Sequence, residues 1–89
     1  MNTILISYDL NSPGQNYDNL IKHIKGHYSW CKVLKSAWAV STSKSTTTVR
    51  DECKSYLDAN DDLFVVNITG AGWASSGLDS QITKWLKEH

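Results

Sequence analysis

Hydrophobic residues along this chain change period in a fixed order, and that order leaves few folds open. Thr3–Tyr8 (TILISY) is a β-rich run closing at Asp9, followed by Asn11-Ser12-Pro13-Gly14, four residues with turn chemistry. Over 16–28, Tyr17, Leu20, Ile21, Ile24 and Tyr28 fall on one helical stripe, and Gly26 weakens its last turn. Trp30–Leu34 and Ala37–Thr42 read as two strands joined near Lys35-Ser36. The Ser/Thr-rich stretch 43–48 suits a helix N-cap for Val49, Cys53, Tyr56 and Leu57. Asp58, Asp61 and Asp62 surround the helix stop, and Leu63–Thr69 (LFVVNIT) is the fourth strand.

The order β-α-β-β-α-β predicts a ferredoxin-like α+β domain, with a four-stranded antiparallel sheet and both helices on one face. On this reading 1–69 is the core, 70–77 a Gly-rich loop, and 78–89 a C-terminal helix with Leu78, Ile82, Trp85 and Leu86 on one side. Eighty-nine residues make one such domain. A domain of this size buries only about 60% of its unfolded surface, so pairing with a copy of itself is favoured.

Strand alternation refines this. Ile4, Ile6 and Tyr8 oppose Leu5, Ser7 and Asp9 in the first strand. In the fourth, Phe64, Val66 and Ile68 oppose Leu63, Val65, Asn67 and Thr69. Placing the richer apolar sets against the helices leaves Leu5, Ser7, Asp9, Val65, Asn67 and Thr69 on the far face, a dimer surface with a polar site at one edge.

Charge narrows the partners. Nine basic and nine acidic residues cancel, although Lys22, Lys25, Lys32, Lys35 and Lys44 cluster in the first half. Long nucleic acid is held by cations that displace counterions, so this balance argues against it and towards a small ligand or a protein. The start of the chain carries no basic segment ahead of its first apolar run, and no run is long enough for a bilayer. Cys31 and Cys53 lack a CxxC spacing and read as reduced packing residues, so a cytoplasmic location is expected.

Two features carry candidate chemistry. Asp9 ends a buried strand beside a turn, where a carboxylate can ligate Mg²⁺ or Mn²⁺; two copies meeting at a two-fold axis would supply a pair. Its other reading is an acceptor for N–H groups of the following turn. The loop Gly70–Gly77 lets backbone approach a ligand, opens onto a helix N-terminus that attracts anions, and holds Trp73, a stacking surface. It can equally be a connector whose Trp73 packs the last helix. His23 and His27 have metal-ligand spacing without a third ligand and read as a solvated helix edge. Trp30, Trp38 and Trp85 read as core or interface aromatics. No serine sits in a nucleophile-elbow pattern.

ISYDL (Ile6–Leu10), NSPGQ (Asn11–Gln15), KSAWAVST (Lys35–Thr42) and LFVVNITGAGW (Leu63–Trp73) resemble, in this order, small bacterial and phage proteins labelled SinR-like. The wider superfamily includes the small dimeric CRISPR-associated nuclease-like protein of spacer acquisition and the virulence-associated D-type toxin ribonucleases. The resemblance implies a ferredoxin-like homodimer, with Asp9 in the place of a proposed metal ligand. The basic residues that follow that aspartate in the family are replaced here by Asn11-Ser12-Pro13-Gly14, which counts against nuclease and DNA-scaffold roles.

The expectation is therefore a non-catalytic homo-oligomeric binder of a small nucleotide-like ligand, such as a defence signal that a phage or bacterial protein sequesters. Ser7, Tyr8, Asp9, Asn11, Asn67, Thr69, Gly70, Gly72 and Trp73 would form its site, with no cofactor. The alternatives are a metal-dependent phosphodiesterase or ribonuclease, with Asp9 catalytic and holding Mg²⁺ or Mn²⁺, and a structural adaptor.

Overall fold

The computed structural model describes residues 1–11 and 17–89. Its elements are β1 (Asn2–Asp9), α1 (Asp18–His27), β2 (Ser29–Leu34), β3 (Ala37–Thr42), α2 (Thr46–Lys54), β4 (Asp62–Asn67) and α3 (Ser80–Glu88). The four strands form one sheet in the order β2-β3-β1-β4, every neighbouring pair antiparallel. This is the expected ferredoxin-like βαββαβ core with an added C-terminal helix. Ser12–Gly14 of the expected Asn11–Gly14 turn, and the expected helix start at Asn16, lie outside the described residues.

Local chemistry sets several boundaries. Ser45 caps α2 by accepting from the Thr48 N–H at 3.2 Å, the arrangement the Ser/Thr stretch implies. β4 stops at Asn67 because its side-chain oxygen takes the Thr69 N–H at 2.9 Å. Gly70 then turns the chain at φ +70°, a conformation side chains resist.

The main core lies between the sheet and the α1/α2 pair. Ile4, Ile6, Tyr8, Trp38 and Val40 meet Leu20, Ile24, Tyr28, Val49 and Cys53, all buried, with Leu63 and Val65 packed against them. Register confirms the grouping on β1 and β3, where Ile4 faces Val40 and Ile6 faces Trp38.

β4 corrects the expected alternation. Val65 lies opposite Ile6 and Asn67 opposite Ile4, so Leu63, Val65 and Asn67 belong to the α1/α2 side. Phe64 and Val66, opposite Ser7 and Leu5, share the far face instead. Both sets are apolar because both sides of the sheet receive helices: α3 packs against β2 across the second face. That face is therefore part cover and part open. Phe64 remains 65% exposed at its uncovered end.

Among the described residues no helix is long and apolar enough to cross a membrane. Cys31 and Cys53 are free and buried, as packing residues should be.

Candidate functional site

The chain crosses from β4 to α3 over the second face, and that passage makes the most developed concavity. Thr3 anchors it: its N–H donates to the Thr69 hydroxyl at 2.8 Å, its carbonyl accepts the Ile68 N–H at 2.8 Å, and its hydroxyl donates to the His89 carbonyl at 2.6 Å. The Ala71 N–H closes the Gly70 turn onto the Ile68 carbonyl at 3.0 Å. Trp73, 43% exposed, then stands between two cavities.

One cavity, about 220 Å³, is apolar and lies against the sheet, bounded by Leu5, Val33, Ile68, Trp73, Leu78 and Leu86. The other, about 300 Å³, opens beside Thr3, Gly70, Lys87 and His89. Ile68, Ala71, Trp73 and Leu86 line both, so the two adjoin. The Trp73 indole forms part of the apolar wall, and hydrogen-bonding and cationic groups stand at the neighbouring rim. The expected anion seat at the α3 N-terminus is already filled: the Asp79 carboxylate accepts the Gln81 N–H at 2.8 Å. Lys87 is the cation this region offers an anionic ligand.

The other expected residues lie elsewhere. Antiparallel pairing sets the end of β1 beside the start of β4, roughly 20 Å along the strand from Thr3. There Asp9 faces Asp62, and both border a cavity of about 140 Å³ with Ser7 and Phe64. Asn11 belongs to this end, donating from its side chain to Asp62 at 3.2 Å and to the Asn60 carbonyl at 2.9 Å. Its backbone N–H goes to Asp61 at 2.8 Å, so that described turn contact falls to Asp61 and not to Asp9. Tyr8 is on the opposite side of the sheet, buried, its hydroxyl accepting from the Trp38 indole at 2.9 Å. Asn67 is also on that side.

The residues grouped from sequence thus separate into two sets. Gly70, Gly72 and Trp73 come together with Thr69 nearby, while Ser7, Asp9 and Asn11 gather at the far end. Among the described residues no three His, Cys, Asp or Glu side chains form a metal-holding group. Asp9 and Asp62 suit a hard cation in donor type but supply only two carboxylates.

The sequence reading also missed a polar cluster between α1 and α2. His23 is not on a solvated edge; it is only 8% exposed and stacks on His27 at 4.3 Å. Its Nε2 lies 3.2 Å from the Tyr28 hydroxyl, which donates to Glu52 in a short bond of 2.5 Å. Lys44 donates to the same carboxylate at 2.8 Å. Burial, with the neighbouring His27, lowers the His23 pKa from 6.5, while Lys44 and Tyr28 hold Glu52 below the ordinary carboxylate value. Burial, with the Glu52 bond, raises Tyr28. The His23 Nδ1 is buried without a hydrogen-bond partner among the described residues. Only an aromatic residue five positions on, at Tyr28, hinted at this cluster.

Comparison with family models, with curated proteins and with solved structures finds no match.

Proposed function

We propose that this protein is a non-catalytic, homo-oligomeric binder of a small nucleotide-like ligand. The proposal includes kinship with the SinR-like proteins and a role in sequestering a defence signal. The observation carrying the reading is the placement of Trp73 between two adjoining cavities, one apolar and one rimmed by Thr3, Lys87 and His89. A base-like ring stacks on the indole in the apolar part, and its polar substituents reach the rim. Backbone at Gly70 and Gly72 approaches without side chains in the way; neither position has another atom near its missing Cβ.

A thermal-shift scan against mono-, di- and cyclic nucleotides, without added metal, tests this. A ligand favouring the native state raises the melting temperature. Trp73→Ala should abolish the shift, and Asp9→Ala should retain it. No shift from any nucleotide with the native protein overturns the reading.

The metal-dependent phosphodiesterase reading is favoured by one observation, the facing of Asp9 and Asp62 across β1 and β4. Like charges set directly opposite on paired strands are unfavourable, and a divalent cation bound by both carboxylates would offset this. Mn²⁺-dependent cleavage of RNA, lost in both Asp9→Ala and Asp62→Ala, would establish that reading over the binder.

A further inference from the structure

The two edges of the sheet are finished differently. On β2, pairing with β3 slips between Lys32 and Leu34, a bulge beside a lysine, and both devices blunt an edge against further pairing. β4 (DLFVVN) has neither: it pairs with β1 in unbroken register and carries no Lys, Pro or Gly. Such an edge is a template for another strand.

The outward groups can be assigned. Because the Ile68 N–H donates to Thr3, which lies next in the same register, Val66 and Phe64 also turn their main-chain groups towards β1. Leu63, Val65 and Asn67 therefore aim theirs away from the sheet, where β4 has no strand neighbour among the described residues.

We propose that β4 pairs antiparallel with β4 of a second copy, centred on Val65, to make a continuous eight-stranded sheet. This rests on the homo-oligomeric part of the reading above and specifies its interface. The register follows from the outward groups. A two-fold axis normal to the sheet keeps each face on its own side, so Val65 meets Val65 and Leu63 meets Asn67 of the second copy. All three outward residues then find partners within the strand, giving about six main-chain hydrogen bonds. A shift that centred Phe64 would draw Asp61, outside the strand, into the ladder.

Side chains agree with this register. On the second face, each Phe64 lies against Val66 of the other copy, an aromatic–β-branched pair that covers the exposed ring. Asp62 falls opposite Ile68, so no like charges oppose. Along the edge, a groove of about 200 Å³ lies between Thr46, Thr47 and Arg50 of α2 and Leu63, Phe64 and Val65 of β4. The pairing also sets Asp62 of one copy about 4.8 Å, one strand spacing, from Ile68 of the other, beside its Gly70 turn. Asp62 of one chain thereby borders the Trp73 cavity of its partner.

Mass measurement by light scattering, on ligand-free full-length protein at high micromolar concentration, should give a dimer. Phe64→Lys should be monomeric with an unchanged far-UV circular dichroism spectrum, because the ring is exposed in the single chain. Leu34→Lys, at an equally exposed site on the β2 edge, should stay dimeric. Mixed Phe64→Cys and Val66→Cys chains should cross-link on oxidation far more than Phe64→Cys alone. A monomeric native protein, dimer loss only in Leu34→Lys, or preferential Phe64→Cys self-cross-linking overturns the interface. Mass is read without nucleotide, so an absent thermal shift sinks the binder and leaves this interface standing. A monomeric native protein overturns the interface together with the homo-oligomeric part of that reading, and leaves ligand binding to be decided by the thermal shift.

Discussion

On the α1/α2 side of the sheet, Ile4, Ile6, Leu20, Ile24, Val40, Val49 and Cys53 are wholly removed from solvent. On the other side α3 buries none of its residues fully, and its junction with the sheet encloses both Trp73 cavities. The same strands supply both sides, so the difference comes from what covers them. The first side is filled by two helices whose apolar stripes match the strand alternation. The second is covered by one helix and a loop rich in glycine and small residues, which leave space that packing elsewhere removes. Close packing belongs to the first side and open space to the second.

Four measurements would break or sharpen that contrast. Trp38→Ala should cost about 3–5 kcal/mol, a large part of the roughly 5–15 kcal/mol typical of a whole domain. Trp85→Ala, on α3, should cost only about 1 kcal/mol. Urea titrations of the two variants compare them, and equal losses would erase the distinction between the sides.

Next comes pH, which acts on the α1/α2 side. His23 and Glu52 both have folded pKa values below their ordinary ones, 6.5 and 4.5. Each binds protons more readily in the unfolded chain, so stability is whole above pH 6.5 and falls as acid is added. Tyr28 is raised from 10.0, and burial pushes the Cys53 thiol up from 9.0 to about 11. Those groups ionise first in the unfolded chain, so stability also falls as pH rises beyond 9. Urea midpoints across pH should trace a plateau with two shoulders. His23→Gln should flatten the acid shoulder between pH 6.5 and 4.5; an unchanged shoulder would remove His23 from the account.

Asp79→Ala removes the α3 cap and should cost about 1 kcal/mol. Amide exchange should quicken in α3 while α1 and α2 keep their protection, and uniform quickening would mean that the two sides unfold as one. Trp73→Ala is the smallest in stability, within about 1 kcal/mol, since its ring is already substantially exposed. A larger loss would make Trp73 a packing residue of α3.

The element order was legible because each segment has a strong period of its own. Ser45 could be read as a cap from its neighbours, and Val49 and Cys53 as core from their spacing. The β4 face could not be read, because Leu63 with Val65 and Phe64 with Val66 are almost equally apolar. Only knowing that α3 returns across the sheet explains why both faces need hydrophobic residues. His23 was misjudged because its partner Glu52 sits on another helix, and lysines beside it suggested water. The site residues were grouped through strand ends. Antiparallel pairing puts the end of β1 at the start of β4, which separates Asp9 from Thr69 and Gly70.

β1 lies in the middle of the sheet, yet neither neighbour is near it in sequence: Ile6 faces Trp38 on one side and Val65 on the other. The β2–β3 hairpin can close early, across Lys35-Ser36 alone. As the chain leaves the ribosome, β1 emerges first and waits with both edges bare until β3 has followed, and with one edge bare until β4 has. Such distant closures slow folding, towards milliseconds rather than microseconds. During that interval the strand that later unites the sheet is the one most open to pairing with another nascent chain.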